Sequence, residues 1–233
     1  MRLIKEILSA CPGGDLLDAG CGPGVMVRDL LESRPGDFRI TVLDQSPAMV
    51  EYCTAQVRDI GEVQSSVGEL GAMPFASGQF DVTLAMGVLE YTDSRVGIRD
   101  LARVTRPGGL VIVSMLNPLS PFRLSQWFLY WPLVRMAGAI EKVLGVPVGR
   151  RHAARHSGIR ALPAAVLRRQ LRQAGLEPVD TLYFDATLTL PRLDRLAIVA
   201  RIAERASCRH TVVRGWRRWL GTGYVVTARV SKR

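Results

Sequence analysis

The sequence predicts an α/β fold, a mostly parallel sheet with helices on both faces. Three observations predict it. Short apolar runs alternate with segments of helical periodicity up to residue 116. Gly, Pro, Asp and Ser punctuate the junctions. Several runs are apolar at successive positions, as strands covered on both faces are. A chain of 233 residues can bury one well-formed core, and a single domain over 1–233 is expected.

The elements follow in order. Residues 15–19 read as a buried strand, followed by a glycine loop and a helix from about Val25 to Glu32. "FRITVLDQS" alternates and ends on Asp44 as a second strand. In "SPAMVEYCTAQV", Met49, Cys53 and Val57 fall at helical spacing, with Ser46 and Pro47 suited to N-cap and N1. "VQSSVGEL" is a weaker third strand and "FDVTLAMG" a fourth. "GIRDLARVTRPGG" reads as a helix stopped by Pro107 and a Gly108–Gly109 turn, and "LVIVSML" as a fifth strand. From Asn117 the alternation is interrupted by an aromatic, then basic insertion, at about 117–160. It resumes with the helix "LPAAVLRRQLRQAG" and the strand "LEPVDTLYF". A second insertion, about 186–220, carries an expected basic amphipathic helix. "GYVVTARVSKR" closes the chain as a strand.

Composition narrows the function classes. No apolar run approaches the ~20 residues that span a bilayer. The N-terminal apolar stretch, broken by Arg2, Lys5 and Glu6, is too short for a secretory signal. Cys11, Cys21, Cys53 and Cys208 are scattered without a CxxC, which suits a reducing cytoplasm. The net charge is +10, almost all from arginine. Such a surface suits nucleic acid, anionic lipid, an acidic substrate or simple solubility.

The glycine loop "LLDAGCGPGVMV" brings main chain close to a ligand. Gly20 and Gly22 match a dinucleotide fingerprint, but Val25 stands at its third glycine, which disfavours a nicotinamide oxidoreductase. A P-loop needs a lysine that is not there. What fits is Asp18, then glycines at 20, 22 and 24, with a second acid, Asp44, closing strand two.

With these residues the chain resembles the class I S-adenosylmethionine (SAM)-dependent methyltransferases, particularly the ubiquinone/menaquinone-biosynthesis type. The resemblance covers about residues 14–116, and more loosely 160–185 and 223–233. It rests on four motifs in register: "LLDAGCGPG", "VLDQSPAMV", "VGELGAMPFASGQFDV" and "LARVTRPGGLVIVS". It implies a Rossmann-like, seven-stranded, mostly parallel sheet with an antiparallel last strand, and SAM as cofactor. It also implies roles. Asp18 orients the methionine end. Gly20, Gly22 and Gly24 let backbone approach it. Asp44 accepts from both ribose hydroxyls. Gln45 and Leu70 flank the adenine, with Glu69 near its amine. Met86 offers its carbonyl, and Met49 is a further cofactor-binding candidate.

The methyl of SAM is already electrophilic, so the expected task is to exclude water and align an O, N or C nucleophile behind it. A general base is optional. Many relatives carry a histidine where Glu90 and Tyr91 stand, so these two are the catalytic candidates. His152, His156 and His210 lie in basic stretches, and no metal site is expected. Phe122, Trp127, Phe128, Tyr130 and Trp131 are expected to form a substrate lid over a hydrophobic small molecule, or to meet a membrane interface. Two other readings stand beside this one. The basic second half suits an RNA or protein methyltransferase. "NPLSPF" is similar to the NPP[YF] signature of enzymes that methylate base or amide nitrogen, but it follows strand five instead of four. The fold can also bind SAM without transferring its methyl. Oligomeric state is not written in these residues.

Overall fold

Residues 2–147, 159–186, 208–213 and 219–232 are described in a computed structural model. The short run before the glycine loop forms β1 (Gly14–Ala19). Its neighbours in sequence alternate as expected: α2 (Val25–Ser33), β2 (Phe38–Asp44), α3 (Pro47–Val57), β3 (Gln64–Val67), β4 (Phe80–Ala85), α4 (Ser94–Val104) and β5 (Thr105–Leu116). A short α1 (Arg2–Leu8) precedes them. After β5 come α5 (Pro121–Ser125), a π-helical turn (Gln126–Tyr130), α6 (Trp131–Val143), α7 (Ala164–Gln173), β6 (Leu176–Ala186), β7 (Cys208–Val213) and β8 (Gly221–Val230).

The sheet order is β3-β2-β1-β4-β5-β8-β6-β7. β1 pairs in parallel with both β2 and β4, so strand order reverses between β1 and β4. That switch point opens a crevice at the carboxyl ends of the strands. β8 runs antiparallel between β5 and β6, as expected of a closing strand. The seven expected strands are therefore present, and β7 adds an eighth, antiparallel to β6. It lies within the second insertion. Residues 187–207 and 214–218 of that insertion, where the amphipathic helix was expected, and His152 and His156 fall outside the described residues.

Successive residues of the central strands feed two cores. Leu17, Val111 and Val113 pack with Ile98 and Leu101 of α4 and Leu167 and Leu171 of α7. Leu16, Leu110 and Ile112 pack with α1, α2 and α3 through Ile4, Leu30 and Cys53. Both sheet faces are thus covered, which explains the unbroken apolar runs.

One boundary differs from the sequence expectation. α4 ends at Val104, and Thr105 is already extended. The Thr105 hydroxyl donates to the Leu101 carbonyl at 2.6 Å, capping the helix. "TRPGG" then enters β5, where the β4 pairing slips between Phe80 and Val82. The Pro-Gly-Gly that reads as a turn is absorbed as a strand irregularity.

"NPLSPF" has a structural role. The buried Asn117 donates from its amide to the Gly221 carbonyl at 2.9 Å and accepts from the Leu119 amide at 3.1 Å. Buried Ser120 caps α5, accepting from the Arg123 amide. The segment is a turn tying β5, β8 and α5 together.

Candidate functional site

A cavity of about 380 Å³ opens at the switch point, walled by the glycine loop, the end of β2, the loop after β3 and the loop after β4. A larger groove of about 840 Å³ lies at the other end of the strands, beside Gly78, Pro107 and Gly175. Ligands of parallel sheets bind at the carboxyl ends, so the smaller cavity is the candidate site.

The glycine loop is held by β2. The amides of Gly20 and Cys21 both donate to the Leu43 carbonyl, at 2.6 and 3.0 Å. The Asp44 carboxylate then clasps the loop: Oδ2 accepts from the Gly22 amide at 3.0 Å and Oδ1 from the Ser46 amide at 2.9 Å. Each oxygen keeps a further lone pair, so capacity for two hydroxyl donors remains.

The three glycines do different work. Gly20, Gly22 and Gly24 all have positive φ (87°, 48° and 79°). A Cβ on Gly22 would meet no atom within 4 Å; it would stand in the open cavity that Gly22 lines. A Cβ on Gly20 would lie 2.3 Å from Val88, and one on Gly24 2.6 Å from the Cys53 sulfur. Gly20 therefore admits the β4 loop, and Gly24 admits α3 at the start of α2. Gly22→Ala is expected to weaken ligand binding severalfold with a small loss of stability, about 1 kcal/mol. Calorimetry and thermal melts on the same protein check this.

Asp18, at the end of β1, is only 2% exposed. Burial, and then the nearby charge of Asp44, push its carboxyl up to about 7. Two adjacent acids with no cation between them among the described residues suit a positively charged ligand. The opposite wall is the loop after β3, which carries Glu69 and Leu70. Buried Asp100 of α4 holds it, its Oδ2 accepting from the Gly71 and Met73 amides at 3.2 and 2.8 Å. Arg103 pairs with Asp100 and donates to the Met73 and Phe75 carbonyls. Asp100→Ala is expected to cost about 2–3 kcal/mol of stability and to weaken ligand binding severalfold, because a charged clasp of two amides is lost. Denaturant melts and calorimetry check it. Nothing in the local sequence marks Asp100.

Of the expected cofactor residues, Gly20, Gly22, Asp44, Gln45, Glu69, Leu70 and Met86 line the cavity. Asp18 lies beneath it, and Gly24 and Met49 are set back, Met49 half-exposed on α3. Cys21, Pro23, Gly68, Gly87, Val88 and Thr92 line the wall without having been singled out. Most adjoin expected residues. Gly87 is fixed by donating its amide to the Ser114 hydroxyl at 2.7 Å. The neighbouring Cys53 thiol, and then burial, drive the Cys21 thiol pKa up.

The catalytic candidates separate. Tyr91 lines the cavity and is 65% exposed. Glu90 turns inward, 4% exposed, with burial pushing its carboxyl pKa up. The aromatic segment does not gather into one wall. Phe122, Tyr130 and Trp131 are half-buried, the last two edge-to-face at 5.2 Å, while Trp127 and Phe128 face outward. Among the described residues, no His/Cys/Asp/Glu cluster could hold a metal, and no helix is long and apolar enough to cross a membrane.

Residues 17–113 match a family model described as a methyltransferase domain. The chain is 30% identical to nocamycin O-methyltransferase of Saccharothrix syringae over 84% of its own length and 70% of that protein. It is 34% identical to a demethylmenaquinone methyltransferase of Corynebacterium urealyticum over 75% and 73%. It is 32% identical to malonyl-[acyl-carrier protein] O-methyltransferase of Hahella chejuensis, over 53% of this chain but only 44% of that one. Several other relatives are likewise spanned over about half their length. Among solved structures, a SAM-dependent methyltransferase from Methanosarcina mazei aligns with a TM-score of 0.62 at 14% identity, covering 100% of this chain and 99% of that one. The [4+2]-cyclase SpnF aligns at 0.63 and 24%, covering 100% and 80%. These two likenesses concern the fold.

Proposed function

This chain belongs to the class I SAM-dependent methyltransferase family, and from that premise we propose that it transfers the methyl of SAM to an O, N or C nucleophile of a hydrophobic small molecule. The observation that carries the reading is the acid pair at the switch-point cavity. Asp18 is buried and poised near neutrality, and Asp44 closes β2 with acceptor capacity to spare. Gly22 leaves room where a Cβ would intrude. The residues present therefore fit a ligand with a cationic end and a vicinal diol.

SAM supplies an activated methyl on a sulfonium. The chain's own residues do the rest. Asp44 holds the ribose hydroxyls, Asp18 balances positive charge, and Glu69 and Leu70 set the adenine against the clasped loop. Tyr91 at the cavity wall and the inward-turned Glu90, from the loop after β4, are the residues proposed to act on the acceptor. Alignment behind the methyl carbon can account for about 7–11 kcal/mol of rate enhancement. The half-buried aromatics of the insertion form the apolar approach, and relatives named for nocamycin and demethylmenaquinone chemistry support a small, apolar acceptor.

On α6, Leu133, Met136, Ile140 and Val143 are exposed, as is Phe128 in the turn before it, and the exposed charged residues of the helix are the cations Arg135 and Lys142. Such a helix suits peripheral contact with an anionic bilayer. Flotation with phosphatidylglycerol vesicles tests it, and absence of binding would remove the membrane from the reading.

The deciding experiment is calorimetry with SAM and its demethylated product, followed by tracing of labelled methyl into small molecules and into bulk RNA and protein. Label in a small molecule supports the proposal. Label in RNA or protein moves the acceptor class, and binding without any labelled acceptor favours a SAM-binding role without transfer.

A further inference from the structure

Among the described residues, Glu90 Oε2, Thr92 Oγ1 and Arg123 Nε are buried polar atoms with no hydrogen-bond partner. Such atoms are costly unless something satisfies them. They come from two elements that meet at the carboxyl ends of β4 and β5. Thr92 lines the cofactor cavity, and Glu90 sits two residues before it in the same loop. Arg123 is on α5, positioned by the buried Ser120 cap and by its own Nη1 donating to Gln126 at 2.9 Å. Glu90 and Arg123 perturb each other's ionisation, yet no ion pair joins them among the described residues. An acceptor on Glu90 and a donor on Arg123 are thus both left open.

We propose that Glu90, Thr92 and Arg123 form the acceptor subsite, and that it takes a neutral hydroxyl conjugated to a carbonyl, such as an acyl phenol or an enolised dicarbonyl. This rests on the methyltransferase reading above. The hydroxyl donates to Glu90 Oε2, and the neighbouring carbonyl oxygen accepts from Arg123 Nε. Thr92 completes the set. In the reaction the hydroxyl proton passes to Glu90. The oxygen's electron pair forms the new O–CH3 bond as the S–CH3 bond breaks, its electrons staying on sulfur. The products are the methyl ether, the neutral thioether and a protonated Glu90 that returns its proton to water. Arg123 holds the charge that develops on the carbonyl oxygen meanwhile. Glu90 is suited to take the proton because burial raises its pKa, against the lowering effect of Arg123. Tyr224 also faces it and is driven upward by burial. Arg160 lies on the backbone side, donating its amide to the Glu90 carbonyl and its side chain to the Thr92 carbonyl.

The test uses the whole chain with ortho-hydroxyphenyl heptyl ketone, the same ketone lacking the hydroxyl, and octylamine. Binding is measured with demethylated cofactor present, and transfer with methyl-labelled SAM. Wild type is expected to bind the hydroxy ketone at least about tenfold more tightly than its deoxy analogue and to label the phenol oxygen. Glu90→Gln, which keeps size and polarity, is expected to erase that preference. It should slow transfer about a hundredfold with unchanged SAM affinity. Arg123→Lys should weaken ketone binding and leave SAM binding intact. Equal affinity for the two ketones in wild type, preferred labelling of octylamine, or unchanged transfer in Glu90→Gln would overturn the subsite. Failure of wild type to bind SAM at all would instead defeat the parent reading.

Discussion

Asp44→Ala is expected to raise the Kd for SAM by about a hundredfold or more, read by calorimetry on protein whose far-UV spectrum is unchanged. Two effects add. The ribose hydroxyls lose a charged acceptor, each such hydrogen bond being worth about 1.5–3 kcal/mol. The Gly22 and Ser46 amides also lose the oxygens that fix the glycine loop and the start of α3. Asp44→Asn separates them, because it keeps one oxygen acceptor and removes the charge. It is expected to lose less affinity than alanine, by about tenfold. Asp44 lies at a strand end outside the deep core, so the fold is expected to persist. Unchanged SAM affinity in both variants would show that the cavity at the switch point is not the cofactor site.

Asp18→Asn is expected to stabilise the ligand-free protein and weaken its cofactor binding, a trade expected where a buried charge exists for a ligand. The direction follows from the raised pKa. In the unfolded chain Asp18 titrates near 3.8; in the fold it titrates at about 7, burial being the larger cause and Asp44 the second. Its contribution to stability is therefore fully present below about pH 4 and is lost as pH rises through 7. The ionised form is less favourable in the fold by up to about 4 kcal/mol. Asparagine escapes that cost, so the variant's Tm advantage should be small at pH 5. At pH 8.5 it should reach about 5–10 °C. Saturating SAM should reverse the order, because a cation beside Asp18 favours its ionised form. A Tm difference that does not change between pH 5 and 8.5 would mean that Asp18 is not held protonated near neutrality.

Local pattern carried much of the fold. Apolar runs at 15–19, 80–85 and 110–116 encode strands because both sheet faces are covered, and Ser46–Pro47 marks a helix start by geometry alone. The α4–β5 junction was less legible. "RPGG" has the chemistry of a turn, and Gly108 keeps a positive φ, but pairing of Thr105 and Leu110 with β4 on either side absorbs it into β5, and Thr105 ends the helix with its own hydroxyl. β7 had no clear signature, since its pairing with β6 comes from residues far apart in the chain.

The site divides the same way. The glycine loop and Asp44 are readable because neighbours in sequence make the turn and the strand end. The rest is not, because it joins distant segments. Asp100 reaches back from α4 to clasp the loop carrying Glu69. Arg123 of α5 arrives opposite Glu90 only because Asn117 and Ser120 turn the chain between β8 and the end of β5. By itself, the sequence determined the alternation of elements, the acid–glycine loop and the acid that closes β2, since these are fixed by contacts a few residues long. Tertiary structure alone decided which carboxylate is buried and near neutral, which is clasped to backbone, and which is left with an unpartnered oxygen under the influence of an arginine. Desolvation and charge act through space, and depend on which segments folding brings within a few ångströms.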